Sequence, residues 1–187
     1  MKNVLIGFLI ILACSCNTTE QNYKKNINET VDLFIKTKNL GDYEKLITLM
    51  PNELFDIYPK ESAIKMWTTA DQQNGFMRIN DFKIIDYGQF LNSNNKIYTK
   101  LQYESIVANE RKEPYSDFLF KYMQKEFGEN NVKFDSSSNS YLINNISYMI
   151  AIGEQDGKTW RYLEYNPKTG EKLMSLIIPV DIWEKLK

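Results

Sequence analysis

The sequence predicts an α+β fold, with N-terminal helices packed on a strongly curved antiparallel sheet. Three observations carry that expectation. From Tyr23 to about Gly75 apolar residues recur at helical spacing, and after Gly75 the period shortens to that of strands. Asp156-Gly157 then divides two runs rich in β-branched and aromatic residues, the strongest short-range signal for a hairpin. Helices first and strands afterwards, rather than an alternation of the two, point to segregated layers.

Each element follows from local chemistry. Ile27, Val31, Phe34 and Ile35 make Tyr23 to Leu40 a one-sided amphipathic helix, and Gly41 stands where a C-cap glycine belongs. Asp42 caps a second, short helix with Tyr43, Leu46, Ile47 and Met50 on its face, stopped by Pro51. Residues 52–58 read as loop or as one more turn. Pro59 opens a third helix that carries Ile64, Trp67 and Ala70 inward and closes near Gly75.

Two long strands are expected at 78–90 and 96–108, joined by the polar turn Asn92-Ser93-Asn94-Asn95. On the second, Ile97, Thr99, Leu101, Tyr103 and Val107 share one face; Tyr98, Lys100, Gln102 and Glu104 share the other. That is the alternation of a strand with one wet side. Pro114 starts an inserted helix with Tyr115, Phe118, Leu119, Tyr122, Met123 and Phe127, ended by Gly128. Residues 132–135 and 141–146 suggest a small hairpin around Ser136-Ser137-Ser138-Asn139, and residues 146–165 form the central hairpin. Residues 167–177 and 179–186 close the chain as helical turns, with Leu173, Leu176, Ile182, Trp183 and Leu186 available for burial.

Length and charge bound the function. The 187 residues fit one domain, placed at 23–187. A formal charge of −1 gives no footprint for nucleic acid. Histidine is absent, which removes the commonest general base and metal ligand together. No Gly-rich phosphate loop and no Cys or His ligand set occurs, so no cofactor and no metal is expected. Two carboxylate-bearing turns, around Asp135 and Asp156, lack the spacing of a calcium loop.

Residues 1–13 have the form of a signal peptide: Lys2, then an apolar run from Val4 to Ala13 too short to span a bilayer. Ile11-Leu12-Ala13-Cys14 resembles the lipobox of a bacterial lipoprotein, with Cys16 as the alternative modified cysteine. The resemblance implies cleavage before Cys14, a thioether-linked diacylglycerol, an acylated (palmitate-type) amino group, and a polar tether over residues 14–22. It places the domain in the cell envelope, lipid-anchored at the outer membrane on its periplasmic or surface face. No other cysteine occurs, so an exported domain has no internal disulfide to stabilise it.

The order of three helices, two long strands and a terminal hairpin ending in Gly157-Lys158-Thr159-Trp160-Arg161-Tyr162-Leu163-Glu164 resembles the nuclear-transport-factor-2-like, cystatin-like α+β roll. The inserted helix and small hairpin over 109–145 depart from its compact form. Because that fold hosts many activities, its resemblance specifies no reaction.

The aromatic load suggests a concave site in which Trp67, Tyr103, Trp160 and Tyr162 bind a hydrophobic small molecule or an envelope partner protein. The same spacing also suits a core. Two alternatives remain. One is a small isomerase- or dehydratase-like enzyme pairing Tyr103 with Asp56 or Asp71 in the cone; the other is a purely structural envelope module. Mass spectrometry of the native product is expected to find Met1 to Ala13 removed and a lipid thioether on Cys14.

Overall fold

The computed structural model describes residues 2–166 and 170–187, with side chains from Thr19 onward and Asn74 excepted. Cys14 and Cys16, the predicted lipid sites, lie outside the described side chains, as does the predicted helical start at Pro167. Among the described residues no helix is long and apolar enough to cross a membrane.

The fold is α+β, as predicted: N-terminal helices pack against a strongly curled antiparallel sheet. Helices α1 (Lys2–Asn39), α2 (Tyr43–Leu46, continued by a 3-10 turn at Ile47–Leu49), α3 (Asn52–Ile57) and α4 (Lys60–Asn74) come first. Strands β1 (Phe76–Tyr87), β2 (Leu91–Ser93) and β3 (Lys96–Glu110) follow, then α5 (Asp117–Phe127), β4 (Val132–Asp135), β5 (Ser140–Glu154) and β6 (Trp160–Tyr165). Helices α6 (Glu171–Ile177) and α7 (Val180–Leu186) close the chain. Residues 19–22, read from the sequence as tether, are helical and exposed here.

The sheet is built on one pair. Strands β3 and β5 are antiparallel partners along their whole lengths, from Lys96↔Glu154 to Glu110↔Ser140. Strands β1 and β2 flank β3, while β4 and β6 flank β5 at opposite ends. Strand β1 slips register between Asn80 and Lys83 and again between Ile84 and Asp86. Such irregularities bend a strand and increase its twist, which curls this edge of the sheet. The small hairpin and the central hairpin therefore share a single strand, β5, where the sequence suggested a break near Ile146.

Helix α1 covers the concave face at the β6 end. Ile27, Val31 and Phe34 are at most 2% exposed and belong to the main core with Tyr162, Trp160 and Leu101. Burying each such side chain contributes about 1.5–3 kcal/mol. Polar contacts fix the helix in place: the Tyr162 hydroxyl donates to the Ile27 carbonyl at 3.0 Å and lies 2.5 Å from Thr30 Oγ1.

The opposite face is not wet at this end. By register Tyr98, Ile150 and Ile152 point away from α1, yet each is buried. Helix α7 packs on β3, and Trp183 meets Tyr165 edge to face at 5.2 Å. Tyr98, read from alternation as solvent-facing, is 3% exposed because the terminal helices cover it. Leu176, expected to be available for burial, is exposed instead.

Helix α5 differs in a similar way. Only Met123 of its face is fully buried, packed with Val132, Tyr141 and Ile143, whereas Phe118 is 83% exposed. Ser116, rather than Pro114, caps its start by accepting from Leu119 N.

The 156–157 turn clasps α1. Gly157 has φ +65, and its carbonyl accepts from Asn26 Nδ2 at 2.8 Å and from Trp160 Nε1 at 2.9 Å. A Cβ there would meet the Tyr23 ring at 2.2 Å. Gly157→Ala is therefore expected to destabilise the fold by about 1–3 kcal/mol in chemical denaturation. Pairing it with Tyr23→Ala should recover the steric part, and additive losses in the double mutant would contradict this.

Candidate functional site

Beyond the reach of α1 the concave face is roofed by α4 together with α2 and α3, and a cavity of about 780 Å³ lies between these helices and the sheet. Its floor is the central sheet: Tyr103, Ser105 and Val107 of β3 with Asn145 and Ser147 of β5. Register puts these side by side, Tyr103 opposite Ser147 and Ser105 opposite Asn145. Phe34 and Lys38, in the last turns of α1, form one wall, and Leu163 to Asn166 at the end of β6 form another.

The roof is loosely held. Among the described residues of α4 only Ala63 is fully buried; Ile64 and Trp67, predicted to face inward, are half-buried, and Ala70 is exposed. Trp67, Ala63 and Ala70 all line the cavity, so this face looks into space rather than into packed core. Met66 (49% exposed), Ile57 and Met77 put apolar surface at its rim. Gly75 anchors the far end of α4: at φ +81, a Cβ would meet the Glu110 carbonyl oxygen at 2.2 Å. Only glycine brings the chain that close to the sheet edge.

Four polar features interrupt the apolar lining. Lys38 Nζ lies 2.6 Å from both carboxylate oxygens of Glu164. The Tyr43 hydroxyl donates to Asp71, and the Tyr43 ring sits 5.6 Å from that of Trp67. Ser105 Oγ is buried with no hydrogen-bond partner among the described residues. Burial pushes the Tyr103 hydroxyl well above the ordinary phenol range; the nearby Glu164 charge adds to this, and a hydrogen bond with Ser147 works against it.

The structure thus brings Trp67 and Tyr103 to one cavity and sets Trp160 and Tyr162 apart from it. Those two lie under α1, with Trp160 against Tyr23 and Phe90 and Tyr162 against Phe34. Of the two acids weighed with Tyr103, Asp71 lines the cavity, whereas Asp56 is exposed and outside its lining. Sequence reasoning missed Tyr43, Lys38 and Glu164. The first reads as an ordinary helix-face aromatic, and nothing in the spacing of the other two marks a pair 126 residues apart.

A second cavity, of about 680 Å³, lies near the end of α5 and is lined by Asp81, Glu104, Glu126 and several asparagines. Among the described residues no group of His, Cys, Asp or Glu is arranged to hold a metal ion. The Asp135 carboxylate is used locally, accepting from Ser137 N and from the Ser137 and Ser138 hydroxyls. Asp156 likewise accepts from Lys158 N.

The site defines the chain as an α+β curled-sheet protein with a cavity on its concave face. No protein-family model matches it, and no curated protein or solved structure gives a significant match.

Tyr43, Tyr103 and Tyr162 all have ionisation pushed up, in each case chiefly by burial. A phenol whose folded pKa exceeds the unfolded value of about 10 supports the fold fully below that pH and loses its contribution as pH rises beyond it. Stability should accordingly fall above pH ~10. Ultraviolet titration should show a tyrosine fraction that ionises only with unfolding, and Tyr103→Phe with Tyr162→Phe should flatten the stability slope.

Proposed function

We propose that this chain is an exported, lipid-anchored, non-catalytic binding protein whose nuclear-transport-factor-2-like roll takes up a hydrophobic ligand beneath α4. One observation carries the reading: a cavity of about 780 Å³ lined mainly by apolar side chains, with exposed apolar residues at its rim. That volume falls within the range of small-molecule sites, roughly 300–1,000 Å³, and a few convergent polar groups on an apolar wall are what orient a bound molecule. The element order and the curl of the sheet support the roll, and the lipobox-like segment supports the anchor and the envelope location.

Binding is favoured over turnover by the state of the acids. Asp71 accepts from Tyr43, and Glu164 is held through both oxygens by Lys38. Tyr103, the phenol weighed with Asp71 as an acid-base pair, bonds to Ser147 instead, so nothing supports the two working on one proton. A second reading, docking to an envelope protein, is favoured by the exposed Phe118 and Tyr122 on α5, away from the cavity.

Titrating the purified full-length protein with fatty alcohols, sterols and acylglycerols is expected to change Trp emission and raise the melting temperature. A ligand at a hundredfold excess over its Kd adds about 2.7 kcal/mol of stability. Silence across the panel would remove the ligand reading and leave the α5 surface as the functional one.

A further inference from the structure

We infer that the cavity beneath α4 is built for a singly cationic amphiphile, a hydrocarbon body bearing an ammonium head, with the head held by Tyr43, Trp67 and Asp71. The inference rests on the hydrophobic-ligand reading and adds the chemical class of the ligand.

The first argument is geometric. Trp67 and Asp71 stand four residues apart on α4 and therefore on one face, the face that lines the cavity. Tyr43 comes from α2, and its ring is tilted 43° to that of Trp67 at a centroid distance of 5.6 Å. Its hydroxyl donates to the Asp71 carboxylate. Two rings from different elements with a carboxylate at their edge make a corner suited to an ammonium: the ring faces attract a cation and the carboxylate supplies the counter-charge.

The second argument is charge balance. Among the described residues the cavity wall carries one cation, Lys38, and two anions, Glu164 and Asp71. Lys38 and Glu164 neutralise each other at 2.6 Å, which leaves Asp71 as net −1. Among the described ion pairs none includes Asp71.

The third argument follows from filling the space. Any apolar molecule that displaces water from the cavity also strips water from Asp71. A buried carboxylate with one hydrogen bond and no counter-charge is costly. A neutral ligand leaves that cost in place, and an anionic one adds repulsion while finding Lys38 already engaged. An ammonium head offsets it. Leu54, Ile57 and Met66 then provide apolar wall for the body.

The test compares three ligands of one chain length on the full-length protein at pH 7 by calorimetry, below their micelle concentrations: decyltrimethylammonium, decanol and decanoate. Decyltrimethylammonium is expected to bind about tenfold tighter than decanol, the equivalent of about 1.4 kcal/mol, with decanoate weakest. Asp71→Asn should remove most of that preference, bringing the ammonium and alcohol affinities to within about twofold of each other. Equal affinity for the ammonium and the alcohol, or a preference for decanoate, would overturn the inference and leave the hydrophobic-ligand reading standing. Binding of none of the three would overturn both. Should Asp71→Asn unfold, the ranking on the unaltered protein decides alone.

Discussion

The structure depends on how far α1 reaches across a curled sheet. The helix seals the concave face at the β6 end because Ile27, Val31 and Phe34 fall on one stripe and because Tyr162 bonds to its backbone. The clasp at Gly157 fixes where along the sheet that seal begins. Helix α1 ends at Asn39, whose side-chain amide bonds both ways to the Ile79 backbone of β1, and the floor at Tyr103, Ser105 and Val107 is left for α2, α3 and α4 to roof. The core and the cavity are two ends of one interface, well matched at one end and open at the other.

That geometry explains what the sequence disclosed. The α+β order, the Asp156-Gly157 hairpin and the buried row Ile97, Thr99, Leu101, Tyr103 on β3 were all legible, because each is fixed by local period or turn chemistry. The continuity of β5 was not. Asn144 and Asn145 have the polarity of a turn, but pairing with β3 holds them in the strand. Tyr98 was misjudged, and the period of α5 left the exposure of Phe118 open, for a common reason: alternation and helical period say that two faces differ, while tertiary packing decides which face is covered.

The candidate site was half legible on the same grounds. Trp67 and Trp160 are both apolar-face tryptophans, and no pattern in the chain separates them. They are distinguished by distance from α1: Trp160 lies under it, against Tyr23, and Trp67 hangs beyond it on α4. Lys38 and Glu164 meet only because the end of α1 and the end of β6 arrive at the same place. A pairing across that separation in sequence is a property of the fold, not of a motif.

Helix α4 shows the energetic consequence. Fifteen residues make a helix that is marginal in water unless one face is buried. Here that face meets a cavity, and Ala63 is the only fully buried residue among those described. Tyr43 and Asp71 supply what packing does not, tying the C-terminal half of α4 to α2 by a hydrogen bond and, through Trp67, by a ring contact. The polar group facing the apolar cavity is thus also a group that keeps the roof over it, so the carboxylate cannot be replaced by an aliphatic residue without loosening the wall it belongs to. Fold and site draw on the same few side chains at this corner, which accounts for an acid facing a mainly apolar lining.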